Sequence, residues 1–151
     1  MTARWLTHVL GAALLLVLVS CGSDSWGVKE SDVPSEASLA FPGAELTNRG
    51  WNPGDKGTYI DGGSADYAPR LTMDYELAPT NPKGVLEWYG EQLRELGYTI
   101  QPDTPEALRY RMLLTGSRSV DGFDVNFGIS GGVDVDGKVT GFTVTVVVTP
   151  T

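Results

Sequence analysis

From Arg70 onward the chain alternates. Leu71, Met73, Tyr75 and Leu77 are separated by Thr72, Asp74 and Glu76, the period-two pattern of a strand with one apolar face. Three further sets repeat it: Leu108, Tyr110, Met112 and Leu114; Phe123, Val125, Phe127 and Ile129; Phe142, Val144, Val146 and Val148. Asp121-Gly122 and Asp136-Gly137 lie between the last three, and Asp-Gly favours tight hairpins. Between the first two sets the period changes. Val85, Trp88 or Tyr89, Leu93 and Leu96 recur at helical spacing, with Glu87, Glu91, Arg94 and Glu95 on the wet side. Asn81-Pro82 suits a helix start and Gly97 a helix stop. Trp88 and Leu93 are expected to face the sheet. Strand, helix and strand meander predict an α+β fold: a two-layer sandwich, with a mainly antiparallel sheet of four to five strands and one helix on one face.

The polar positions of these strands define the second sheet face: Thr72, Asp74, Glu76, Arg109, Arg111, Asp124, Asn126, Thr143 and Thr145. Opposite charges on neighbouring strands would pair there. A solvated outer face is the plain reading, and a docking face for a partner is the sharper one. Residues 41–70 read as loop-rich, with Phe41-Pro42-Gly43, Gly50-Trp51-Asn52-Pro53-Gly54 and Asp61-Gly62-Gly63 as turn signals and Tyr59-Ile60 as a short strand. Gly22 to Ala40 is rich in Ser, Asp and Glu without a sustained apolar period. It reads as a flexible tether that would reach about 60 Å if extended; Trp26 and Val28 read as solvated linker residues, with contact at the bilayer interface as the alternative.

The N-terminus has a different grammar. Arg4 precedes a continuous apolar run from Val9 to Val19, as in a secretion signal. A helix of that length spans only about 17 Å, short of a hydrocarbon core of about 30 Å. Leu18-Val19-Ser20-Cys21, followed by Gly22-Ser23-Asp24-Ser25, resembles the lipobox of bacterial lipoproteins. That resemblance implies a diacylglycerol on the Cys21 thiol, removal of residues 1–20, and palmitate-type acylation at the outer face of the cell membrane. More loosely, Cys21-Gly22-Ser23, Phe41-Pro42-Gly43-Ala44, Leu86-Glu87-Trp88-Tyr89 and Leu96-Gly97-Tyr98 resemble the small lipoproteins of high-GC Gram-positive bacteria. That group carries no assigned activity, so no functional residue follows from it. The organisation expected is a signal peptide over 1–20, a lipidated cysteine and tether over 21–40, and a single domain over 41–151. A span of that size is enough for a core without disulfides.

Composition then excludes chemistry. The chain has 151 residues, one Cys, one His and a net charge of −8. Loss of residues 1–20 takes Arg4 and His8 with it, leaving ten basic residues against 19 acidic, a net charge of −9. A mature chain without histidine or a free thiol has no Ser-His-Asp triad, no Cys-His pair and no ordinary zinc site. The acidic balance argues against nucleic acid and against lying flat on anionic lipid. No cofactor or metal is expected.

Two local clusters remain. Trp51, Tyr59 and Tyr67 sit among Asn52, Asp55, Asp61 and Asp66, a mixture that would stack on and hydrogen-bond a neutral glycan or small ligand, or else plug the sheet edge. Asp134-Val135-Asp136-Gly137 resembles part of a calcium loop, but a twelfth position counted from Asp134 falls on Thr145, not on an acid. A hairpin turn is the better account. The leading expectation is a membrane-anchored, extracytoplasmic accessory or protein-binding module that is not an enzyme. The alternative is a glycan-binding lipoprotein using Trp51 to Tyr67, and the third is a carboxylate-dependent hydrolase, for which no spacing selects a pair.

The anchor is directly testable. Cys21→Ser is expected to abolish incorporation of a clickable fatty acid and to leave the protein unprocessed or released. Equal labelling of mutant and parent would overturn the lipoprotein reading.

Overall fold

The computed structural model describes residues 25–60, 63–102 and 109–151. The signal peptide, Cys21, Asp61-Gly62 and Leu108 lie outside the described residues. The strands are β1 (Glu45–Asn52), β2 (Asp55–Ile60), β3 (Gly63–Tyr67), β4 (Arg70–Thr80), β5 (Thr99–Pro102), β6 (Arg111–Val120), β7 (Phe123–Gly132) and β8 (Val139–Pro150). The helix α1 (Pro82–Glu95) lies between β4 and β5. Six strands form one antiparallel sheet in the order β1-β4-β8-β7-β6-β5, and β2 with β3 forms a separate ribbon.

The fold is therefore α+β with a helix on one face of an antiparallel sheet, as the alternation predicts. The sheet gains two edge strands that the pattern does not reveal. β5 is only four residues long, too short to show a period. β1 exposes seven of its eight residues, so it carries no apolar alternation and reads as loop. Its pairing with β4 and a bulge between Leu46 and Asn48 make it a strand. At the other end, β6 begins only at Arg111, and Tyr110 is 79% exposed. The register with β7 ends at the Arg111–Gly132 pair; Tyr110 lies just past it, its O accepting the Val133 N–H at 3.2 Å, and its ring is exposed despite its correct parity.

Local chemistry explains the helix ends. The Asn81 side chain accepts the Lys83 backbone N–H at 3.0 Å, and Pro82 occupies the first turn, where a missing N–H costs nothing. At the other end Gly97 has φ +86. Its N–H donates to Arg94 O at 2.9 Å, and that of Tyr98 to Leu93 O at 2.9 Å, a Schellman closure that requires a left-handed residue. The β6–β7 hairpin turns on Asp121 (φ 51) and Gly122 (φ 82), the two positive values a type I′ turn requires.

The face that α1 buries carries Val85, Leu86, Tyr89 and Leu93. Leu93 faces the sheet as expected. Trp88 does not lead the contact: Tyr89 is fully buried and edge-on to Phe142 at 5.7 Å, while Trp88 is half-buried and edge-on to Phe41 at 5.7 Å. Leu96 is exposed rather than buried, because the backbone has already left the helix there.

The other half of the apolar sheet face is closed by a segment expected to be solvated. Residues 25–41 lie across it as a strap with two short 3-10 turns, Glu30–Asp32 and Ser35–Ser38. Val28 is 6% and Ala37 4% exposed, and Trp26, Val33, Leu39 and Phe41 pack against the same core. The tether reading fails for these residues because their apolar side chains are spaced irregularly, to suit a surface already built rather than a helix or strand.

The helix phase gives a sharp contrast. Leu93→Ala should cost about 2–5 kcal/mol as a buried truncation, and Glu91→Ala, exposed on the far side, should stay within about 0.5 kcal/mol. Urea melts of the soluble domain check the order.

Candidate functional site: the open face of the sheet

One sheet face is covered by α1 and the strap; the other is covered by nothing among the described residues. Register pairs trace a line across all six strands of the open face: Gly50, Thr72, Thr145, Gly128, Thr115 and Gln101. Every member is small or polar, and none is charged. Five inter-strand steps of about 4.8 Å make this face roughly 24 Å wide.

Gly128 sits at the centre, and without a side chain there the face dips. The shallow depression has a volume of about 390 Å³ and is lined by Gln101, Thr115, Ser117, Asn126, Gly128 and Val147 among others, with no charged side chain in its wall. Thr115 Oγ1 leans on Gln101 O at 3.4 Å. The side chains of Ser117, Asn126 and Thr145 make no hydrogen bond within the described protein, so their donors and acceptors are free for water or a partner.

Charges lie towards the margin. Asp74 accepts Thr143 Oγ1 at 2.7 Å and Asn48 Nδ2 at 3.0 Å. These two hydrogen bonds, Thr143 first, hold its carboxyl below the usual carboxylate range. The structure thus gives Asp74 neutral partners rather than the cross-strand cation the sequence invited. Asp124 is paired to the Ser119 hydroxyl. Arg109, counted on this face from the sequence, precedes β6 and lies off the sheet.

Glu45 and Glu76 are direct register partners on β1 and β4 and line a groove of about 750 Å³ with Leu77, Thr140 and Gly141. They are the nearest thing to a convergent carboxylate pair among the described residues. Both are exposed, and nothing in the structure gives them the contrasting environments that separate a proton donor from a nucleophile.

Trp51, Tyr59 and Tyr67 lie on three different strands, β1, β2 and β3. Trp51 is the register partner of Leu71 and packs half-buried on the closed face. Tyr67 is 38% exposed and pairs with Asp55 at the base of the ribbon. Tyr59 pairs with Ser64, four residues or about 13 Å along the ribbon from that base; its side chain lies outside the described residues. Asp134 is committed to its turn: its Oδ1 accepts the backbone N–H of Asp136 at 2.9 Å and of Lys138 at 2.8 Å. That use as a turn brace accounts for the acidic motif between β7 and β8.

The closed side is clamped by one half-buried cluster. The Arg118 and Glu36 side chains, 21% and 10% exposed, form an ion pair. Arg118 also donates to Leu96 O at 2.7 Å and lies 4.7 Å over the Tyr98 ring. Tyr98 donates to Glu36 Oε1 at 3.1 Å. The cluster joins strap, helix end and β6. Tyr89 adds a second link by donating to Leu39 O at 3.2 Å. Burial raises the pKa of both phenols, reinforced at Tyr98 by the Glu36 charge. A group whose folded pKa is raised gives stability that is complete below its unfolded pKa and is lost as pH rises towards the folded value.

Urea midpoints are therefore expected to hold up to about pH 10, the unfolded tyrosine value, and to fall above it. Tyr98→Phe should flatten that alkaline fall while lowering stability at neutral pH through loss of the Glu36 hydrogen bond; an unchanged alkaline slope would remove Tyr98 from the account. No known protein family, curated protein or solved structure matches this chain.

Proposed function

We propose that this chain is an exported, lipid-anchored accessory module that docks a protein partner on the open face of its sheet and performs no chemistry of its own. The observation that carries this reading is the asymmetry of the sheet. One face is covered by a helix, a strap and a half-buried ion pair. The other, six strands wide, is left bare by the described residues, with hydroxyl and amide groups around Gly128 lining its central dip. Its breadth supports a protein partner over a small ligand. A face about 24 Å wide and as long as its strands approaches the roughly 800 Å² that each side of a standard interface buries, whereas the central dip is too shallow to enclose a ligand. Half-buried Leu113 and Val147 give the centre some apolar surface, and Arg70, Asp74, Arg111 and Asp124 give it a charged rim.

The glycan alternative at Trp51 to Tyr67 draws less support, because Trp51 packs half-buried against the core on the closed face. Among the described residues the hydrolase reading rests on Glu45 and Glu76, both exposed.

Site-specific photo-crosslinking in cells tests the proposal. A crosslinking residue at Thr115 should yield one discrete adduct, and the same residue at Glu91 on α1 should yield none. Gly128→Arg should erase the Thr115 adduct without unfolding the domain. A Cβ at Gly128 meets only Thr145 O at 3.9 Å, so the new side chain stands on the face rather than in the core. Equal adducts from both positions, or persistence in Gly128→Arg, would overturn the assignment.

A further inference from the structure

The strap changes how far the domain stands from its anchor. Trp26 is already docked: its indole Nε1 donates to Tyr67 O at 2.8 Å, and the Lys56 ammonium lies 4.6 Å from its ring. Two residues later Val28 is in the core. Only Gly22, Ser23, Asp24 and Ser25 separate Cys21 from Trp26. Five Cα steps reach at most about 18 Å, where a free tether to Ala40 would reach about 60 Å.

We infer that the Trp26 end of the domain, with Lys56 and Tyr67, rests against the lipid headgroups, held there by a leash of four residues. This rests on the lipid anchor at Cys21 proposed above. The chemistry at this pole suits the bilayer interface: a half-buried indole, an exposed phenol and a cation whose stem can lie along lipid. The leash is essential, because a domain at −9 has no electrostatic reason to approach an anionic surface. Tethering replaces intrinsic affinity with effective concentration.

The pole also orients the sheet. Tyr67 lies three residues before Arg70, where β4 starts, and β4 runs 11 residues to Thr80. The Asp134–Gly137 turn sits towards the far end, since β8 leaves it at Val139, the register partner of Thr80. The strands therefore rise away from the bilayer, and the open face looks sideways along the membrane. A partner docking there must itself be held near the membrane, as another anchored or membrane-embedded protein is.

The single native cysteine is consumed by the anchor, so an introduced one can be labelled uniquely. Arg70→Cys and Val135→Cys are both exposed positions, one near the pole and one far from it. In the full-length lipidated protein, reconstituted in vesicles carrying an acceptor dye on the headgroup, energy transfer should be strong from position 70 and weak from position 135. A flexible Gly-Ser insert of about twenty residues between Ser23 and Asp24, adding a coil span of about 25 Å, should abolish the difference. Flotation of the same samples separates the two layers of the argument. Protein that floats but shows equal transfer from both positions, or a difference untouched by the insert, overturns the leash alone. Protein that does not float overturns the anchor and the leash with it.

Discussion

A sheet of six antiparallel strands is about 24 Å wide, and a helix with its side chains is about 10–12 Å across. One helix cannot cover one face of such a sheet. Here the apolar face runs from Leu71, Met73 and Tyr75 on β4 through Val144 and Val146 on β8 to Phe127 on β7 and Met112 and Leu114 on β6, all buried. The helix α1 covers the β5–β6 side and reaches Phe142 through Tyr89. Leu71 and Met73 would be left to water. Burying a side chain of that size is worth about 1.5–3 kcal/mol, so the uncovered strip would be a serious loss for a small domain. The strap resolves that mismatch, and the rest of the architecture follows from its presence.

The strap is held differently from the helix. It has little regular structure to satisfy its own backbone, so its position depends on side chains. Val28 and Ala37 supply the burial, Glu36 and Glu30 supply ion pairs to Arg118 and Arg49, and Leu39 O accepts from Tyr89. The half-buried Glu36–Arg118 pair adds little net stability but disfavours any arrangement that separates its charges, and the exposed Glu30–Arg49 pair adds less. They fix where the strap lies rather than how strongly the domain folds. Because the strap also leads back to Cys21, the packing that completes the core would set the distance between the domain and the proposed anchor.

With one face covered, the surface proposed for docking is the other. Its character is set by absence of charge at the centre and by Gly128, which leaves room where neighbouring strands carry threonine. Placement of the charges at the margin, each already engaged by a hydroxyl or amide in the cases of Asp74 and Asp124, keeps the centre neutral despite the acidity of the chain.

Alternation alone determined the four main strands, the helix between them and which side of each strand is polar, because side-chain period is a local property that burial imposes at every second or every third to fourth residue. Composition likewise limits histidine and thiol chemistry to His8 and Cys21, the only residues of those types in the chain. Tertiary structure decided the rest. β1 and β5 exist because β4 and β6 offer unpaired edges, which no period in exposed or four-residue segments can announce. Tyr89 rather than Trp88 meets the sheet because helix phase is set by the whole buried row, and adjacent aromatics leave it ambiguous. The strap escaped notice because its apolar residues answer the shape of a surface assembled from residues 40 to 120 positions away. The open face was half legible: Thr72, Asn126, Thr143 and Thr145 could be assigned to it by parity. That Gly128 lies among them at the centre, with Gln101 and Thr115 completing the row, depends on strand order, and strand order is a long-range property.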